Sequence, residues 1–198
     1  MEIISLIKLS KGRTKICLDN GTDFVLYRGE FGKLNIREGG AISQEEYDKL
    51  LQETLIPRCK KRAMYLLQKQ DRSEKNLRDK LAEGSYPPEA IDAAIAYVDS
   101  YGYIDEGRMA ASYIRFYQDS RSRQRIRQDL LAKGVSSDCI DACLEEEYTV
   151  DETDLINSLL EKKHYDPETA TYQDRCKLYR FLAGRGFSID SINKALRD

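Results

Sequence analysis

Three stretches of the chain carry the same five apolar positions in the same register. They are Leu77, Leu81, Tyr86, Ile91 and Ile95, then Ile126, Leu130, Val135, Ile140 and Leu144, then Leu178, Leu182, Phe187, Ile192 and Leu196. In each stretch the first two positions are four apart, and so are the last two, which places each pair on one face of an α-helix. From Ile91 to Ile140 the offset is 49 residues and from Ile140 to Ile192 it is 52. The additional residues therefore fall between Ile140 and Leu178, and the loop around His164 to Gln173 is where they are expected. Each copy also has an upstream helical stretch, near Arg58 to Gln70, Asp105 to Asp119 and Asp151 to Lys163. Short helices cannot each bury an apolar stripe alone, but three packed together can. Residues from about 57 to 198 thus read as three tandem three-helix repeats, and stacking of such units predicts an elongated, curved molecule.

The turns fit this frame. Gly134 and Gly186 stand four residues after Leu130 and Leu182, where a left-handed helix C-cap favours a residue without a side chain. The first copy has Ser85 there and Gly84 one place earlier, so its cap is expected to be rearranged. Ser136 and Ser188 are placed to cap the helices that follow, and Pro87-Pro88 suits the opening turn of the corresponding helix in the first copy. Before residue 43 the character changes. Ile3 to Leu9, Lys15 to Leu18 and Thr22 to Tyr27 are apolar and rich in β-branched residues, with the turn signal Asn20-Gly21 between the last two. A β-hairpin or small three-stranded sheet is predicted, leaning on the helices after it because such a sheet is marginal alone. Ser43 and Glu46 have capping-box spacing at the head of a helix over about 44 to 54. The expected fold is mostly α, a tandem array of three three-helix repeats preceded by this β segment. Its divisions are 1–42 for the β segment, 43–104 for a linking helix with repeat 1, 105–148 for repeat 2 and 149–198 for repeat 3.

Charge changes the picture only locally, because 32 basic residues nearly balance 34 acidic ones. Arg121, Arg123, Arg125 and Arg127 alternate around the start of a helix, with Arg115 upstream, Lys133 downstream and only Asp129 opposing them between 121 and 133. Guanidinium groups suit phosphates and carboxylates, so this cluster is the candidate binding site. A weaker basic patch in the first copy, Lys60-Lys61-Arg62, Lys69, Arg72, Lys75, Arg78 and Lys80, is diluted by Asp71, Glu74 and Asp79. The stretch Asp138 to Asp154 has eight acidic residues and no Lys or Arg, so charge looks separated along the molecule. Tyr97, Tyr101, Tyr103, Tyr113 and Tyr117 cluster near the junction of copies one and two; at helical spacing, packing between helices is the expected role of Tyr97 with Tyr101 and of Tyr113 with Tyr117.

Catalytic chemistry has little to draw on. No nucleotide-binding or hydrolase motif occurs; Gly29-Glu30-Phe31-Gly32-Lys33 lacks phosphate-loop spacing, and His164 has no matching nucleophile. Five cysteines without a CxxC pair, and a single histidine, point to small buried thiols rather than a metal centre. No cofactor is expected. No run is long and apolar enough to span a bilayer, and Met1 to Leu9 is too short and alternating for a signal peptide. The chain reads as a cytoplasmic monomer.

Three segments, in order, resemble one known family. Arg72-Ser73-Glu74 with Leu77-Arg78-Asp79-Lys80-Leu81, then Tyr101-Gly102-Tyr103-Ile104-Asp105-Glu106, then Arg125-Ile126-Arg127-Gln128-Asp129-Leu130-Leu131-Ala132-Lys133-Gly134 are similar to the RecX family of recombination regulators. The family pattern departs at Glu106, Asp129 and Glu83-Gly84-Ser85, and the third copy matches in its apolar frame only. The resemblance implies a non-enzymatic inhibitor that binds the RecA filament on single-stranded DNA, in its helical groove, and restrains ATPase, strand exchange and co-protease activity. In that setting the candidate contacts are Arg72, Arg78, Arg115, Arg121, Arg123, Arg125, Arg127 and Lys133. Two other readings stay open: direct DNA or RNA binding in helix-turn-helix fashion, duplex included, and a generic helical interaction scaffold.

Overall fold

The computed structural model describes residues 1–31 and 36–197, in two compact units, 1–105 and 106–198. Gly32 and Lys33 of the glycine-containing stretch lie outside the described residues.

The first unit opens with an antiparallel sheet of β1 (Ile3–Leu9), β2 (Arg13–Leu18) and β3 (Asp23–Tyr27), in that order. Asn20 makes the second turn, its Oδ1 accepting the Thr22 N–H at 3.0 Å. Alternation sends Ile16, Leu18, Phe24 and Leu26 inward. Helix α1 (Gln44–Leu50) begins at the predicted capping box, with the Glu46 N–H donating to Ser43 Oγ and the Ser43 N–H to the Glu46 carboxylate. No gap separates it from α2 (Ile56–Lys69). The two are joined by a π-helical turn over Leu51–Leu55, in which the Ile56 N–H reaches back to the Leu51 carbonyl. Pro57 follows directly; it has no N–H for residue 53, and its ring would crowd that carbonyl in a regular α-helix, so the widened turn accommodates it. α3 (Glu74–Ala82) and α4 (Pro88–Ser100) complete the first repeat.

One apolar cluster unites the inward face of the sheet, Leu55, Cys59 and Ala63 of the following helical run, and Ala90, Ala94 and Val98 of α4. The sheet therefore gains its stability from the first repeat. Ser85 adopts a left-handed backbone, φ +55°, at the place that glycine fills in the other copies. The expected rearrangement of this cap is not found, because serine, though disfavoured there, can occupy that region.

The second unit holds α5 (Glu106–Tyr117), α6 (Arg123–Ala132) and α7 (Ser137–Glu147), then α8 (Glu152–Glu161), α9 (Tyr172–Ala183) and α10 (Ile189–Ala195). Each triplet has its own apolar cluster. Every position of the fivefold apolar frame is buried in all three copies except Tyr86 and Leu178, which are half-buried against the same cores. Gly134 and Gly186 both have φ of +85°, as their caps require. Ser188 caps α10 through its hydroxyl, whereas Ser136 occupies the cap position of α7 without a side-chain hydrogen bond. The Ser136 N–H is instead met by the Glu106 carboxylate at 3.3 Å. The longer connection of the third copy runs from the end of α8 to Thr171, which starts α9 with a capping box of its own. His164 lies in it at φ +53°, closing α8. Of the cysteines only Cys59 is buried, its thiol pushed up to about 12 by burial; Cys17 on β2 and Cys139, Cys143 and Cys176 on helices are half-buried.

Candidate partner-binding surface

The arginine cluster is set by the start of α6. Ser122, almost wholly buried, accepts the Arg125 N–H at 3.1 Å and donates its hydroxyl to the Gly186 carbonyl at 2.7 Å, while its own N–H reaches the Arg185 carbonyl at 3.0 Å. The N–H of Arg123 meets the Glu152 carboxylate at 2.7 Å, an acidic partner at a helix N-terminus. The second repeat is thereby fastened to the third, and Arg123, Arg125 and Arg127 project from a fixed helix.

Each arginine of the cluster has an intramolecular carboxylate. Arg127 makes a two-pronged pair with Asp141 at 2.8 and 3.1 Å, Arg123 pairs with Glu145, Arg115 with Glu147 at 2.7 Å, and Arg125 with Asp129 at 3.1 Å. The hydrogen bond from Arg127 holds the Asp141 carboxyl below the usual carboxylate range. The separation of charge expected from the sequence is therefore absent here. Acidic residues distant along the chain are brought against the arginines because α7 packs beside α5 and α6 in one bundle.

Arg121 differs from its neighbours. Its guanidinium donates to Asp129 at 2.5 Å and to the Tyr113 hydroxyl at 2.8 Å, and lies 3.8 Å from the centre of the Tyr117 ring. The side chains of Arg121 and Asp129 are only 29% and 16% exposed, which makes this a knot inside the repeat rather than a free cation. Burial, with Asp129 close by, pushes the Tyr113 hydroxyl up to about 12. Lys133 stands 5.4 Å from the centre of the Tyr113 ring. Tyr113 and Tyr117 pack on the core of the second repeat as expected. Tyr97 and Tyr101 do not behave as a buried pair: their rings meet edge to face yet remain 36% and 60% exposed. Both lie at the open C-terminal end of α4, clear of the buried stripe.

In the first unit, Arg72 donates to Asn76 at 2.6 Å from a half-buried position, and Arg78 bridges Glu74 at 2.7 Å and Asp92 at 2.5 Å. Of the carboxylates that hold the cluster, Asp141, Glu145 and Glu147 are visible in the sequence only as members of a separate acidic run. Only Arg125 with Asp129, four apart on a helix, carried a local signal. Among the described residues no group of three or more His, Cys, Asp or Glu is placed to hold a metal ion, and no helix is long and apolar enough to cross a membrane.

Comparison with known proteins agrees with the threefold division. Residues 59–97 match the first three-helix domain of RecX, 105–144 the second and 151–196 the third. The regulatory protein RecX of Clostridium perfringens (strain 13 / Type A) is 30% identical over 98% of this chain and 93% of its own length. That of Caldanaerobacter subterraneus subsp. tengcongensis is 30% identical over 99% and 98%, and that of Vibrio vulnificus 34% identical over 71% and 92%. Among solved structures, a crystal structure of regulatory protein RecX superposes with a TM-score of 0.57 at 21% identity over the whole of both chains, which supports the fold. RecX from Lactobacillus salivarius gives 0.54 at 24% identity over 72% of this chain and 94% of its own. With three consecutive domain matches and near full-length relatives, the chain belongs to the RecX family.

Proposed function

We propose that the chain is an inhibitor of RecA that binds the filament RecA forms on single-stranded DNA, in its helical groove, and restrains ATPase, strand exchange and co-protease activity. The observation that carries this reading is the match over nearly the whole chain to relatives named regulatory protein RecX. It acts by binding, in the cytoplasm and as a monomer, without a cofactor. Segment 1–42 buttresses the first repeat, and 43–104, 105–148 and 149–198 are the binding modules.

The contacts fall to Arg115, Arg123, Arg125 and Arg127, with Arg72, Arg78 and Lys133 in support. Exposed ion pairs of this kind contribute only about 0–1 kcal/mol each, so an intramolecular carboxylate can be exchanged for a phosphate or an acidic patch on RecA at small cost. Arg121 holds the geometry. Binding of the chain to preformed RecA filaments, followed by co-sedimentation, tests these roles. Arg123→Ala with Arg127→Ala is expected to weaken binding about tenfold or more, each lost charged contact being worth roughly 1.5–3 kcal/mol, with little change in Tm. Unchanged co-sedimentation would remove the arginine row from the interface.

A further inference from the structure

We propose that one face of the first repeat is a platform for single-stranded nucleic acid, on which exposed tyrosines stack against bases while lysines of α2 hold the phosphates. This deepens the reading above, on which it rests for the identity of the polymer.

Helix α2 contains five basic residues and no acidic one. Arg58 is engaged with Glu30 and the Val25 carbonyl. Lys60, Lys61, Arg62 and Lys69 are different: among the described residues no ion pair joins any of them to a carboxylate. Every arginine of the α6 cluster, by contrast, is so joined. Lys60, Lys61, Met64, Tyr65 and Gln68 of α2 face Tyr97 of α4 across a groove of about 390 Å³.

From Tyr97 the aromatic surface continues along the end of α4. The rings of Tyr97 and Tyr101 are 5.1 Å apart, and those of Tyr101 and Tyr103 lie within 15° of parallel at 5.6 Å. The helix cap builds this row: Gly102 at φ +64° turns the chain so that the Tyr103 N–H returns to the Val98 carbonyl at 3.1 Å. Tyr65, Tyr101 and Tyr103 are 49%, 60% and 41% exposed, so much of each ring faces water. The cations sit beside the rings, Lys60 Nζ 4.9 Å from the centre of Tyr97 and Lys69 Nζ 5.5 Å from that of Tyr65. Asp99, the carboxylate between Tyr97 and Tyr101 in sequence, is two positions from each and so lies on another face of α4.

Aromatic faces interleaved with cations are what sequence-tolerant single-strand binding requires, since every base has a π-face and every nucleotide a phosphate. Paired, stacked bases of a duplex cannot reach the rings. Folding alone does not demand the row, because the second copy has Glu146 and Val150 where the first has Tyr97 and Tyr101.

Fluorescence anisotropy of the full chain with a labelled dT oligonucleotide of about 20 nucleotides tests the platform. Tyr101→Ala with Tyr103→Ala is expected to weaken binding about tenfold, and Tyr101→Phe with Tyr103→Phe to change it less than about twofold. Affinity for a duplex of the same length should be alike in all three proteins. Absence of oligonucleotide binding by the unaltered chain, an alanine variant that binds like it, or equal losses on duplex would each overturn the proposal. So would an alanine variant that keeps oligonucleotide affinity but loses RecA filaments, which would assign the face to an acidic protein surface. Tyrosine-dependent binding by a chain without effect on RecA would leave the platform standing and remove the RecA reading.

Discussion

A methyl group added at Gly186 would lie 2.6 Å from Arg125 Cβ and 2.7 Å from Ser122 Oγ, in a residue already at φ +85°. Gly186→Ala is expected to lose about 2–5 kcal/mol in urea unfolding, roughly 1–2 from the left-handed backbone and the rest from overlap. Gly102→Ala shares the backbone cost, at φ +64°, but meets nothing within 4 Å, so it should lose only about 1–2 kcal/mol. Equal losses would show that the junction of the second and third repeats yields freely. The backbone need at Gly186 was legible in the sequence; the close approach of Ser122 and Arg125 was not, because it joins segments far apart in the chain. At Asp141, the hydrogen bond from Arg127 lowers the folded-state pKa below the ordinary 3.8. A depressed carboxylate pKa contributes stability that is present above the unfolded pKa and lost as pH falls through the folded one. NMR titration should therefore find Asp141 titrating below 3.8 and returning toward it in Arg127→Ala; an unmoved midpoint would show that the pair is not populated in solution.

For whole elements, the apolar frame predicted the burial of helices whose boundaries it located only roughly. Ile126 and Leu130 are fully buried while Leu131 beside them is 40% exposed. Leu130→Ala should cost about 2–5 kcal/mol of unfolding free energy, against less than about 0.5 for Leu131→Ala. Helix starts divide in the same way. Ser122→Ala removes a formed cap and a buried bond to Gly186 and should cost about 1–2 kcal/mol, whereas Ser136 makes no side-chain cap bond and its alanine variant should stay within about 0.5 kcal/mol. Thermal or urea unfolding checks both comparisons, and equal effects at the two serines would contradict these cap assignments. Sequence suggested Ser136 as readily as Ser188, since residue type gives the capacity to cap but not the rotamer. Likewise the sequence separates a helix over about 44 to 54 from one beginning near Arg58, yet a π-helical turn joins them without a break.

Across the molecule, the threefold frame and the family were legible because both rest on order and spacing. Charge was not: the acidic run 138–154 and the arginines 121–127 look segregated in the sequence, but Asp141, Glu145 and Glu147 face Arg127, Arg123 and Arg115 once the helices pack. The basic face of α2 was obscured by the opposite error, since Glu74 and Asp79, close to it in sequence, pair with Arg78 and Lys75 of α3. Regulation of RecA remains the central claim. Its most direct test is the ATPase rate of RecA on single-stranded DNA with increasing amounts of this chain: the rate should fall as the chain is added, and an unchanged rate at several-fold molar excess would contradict it.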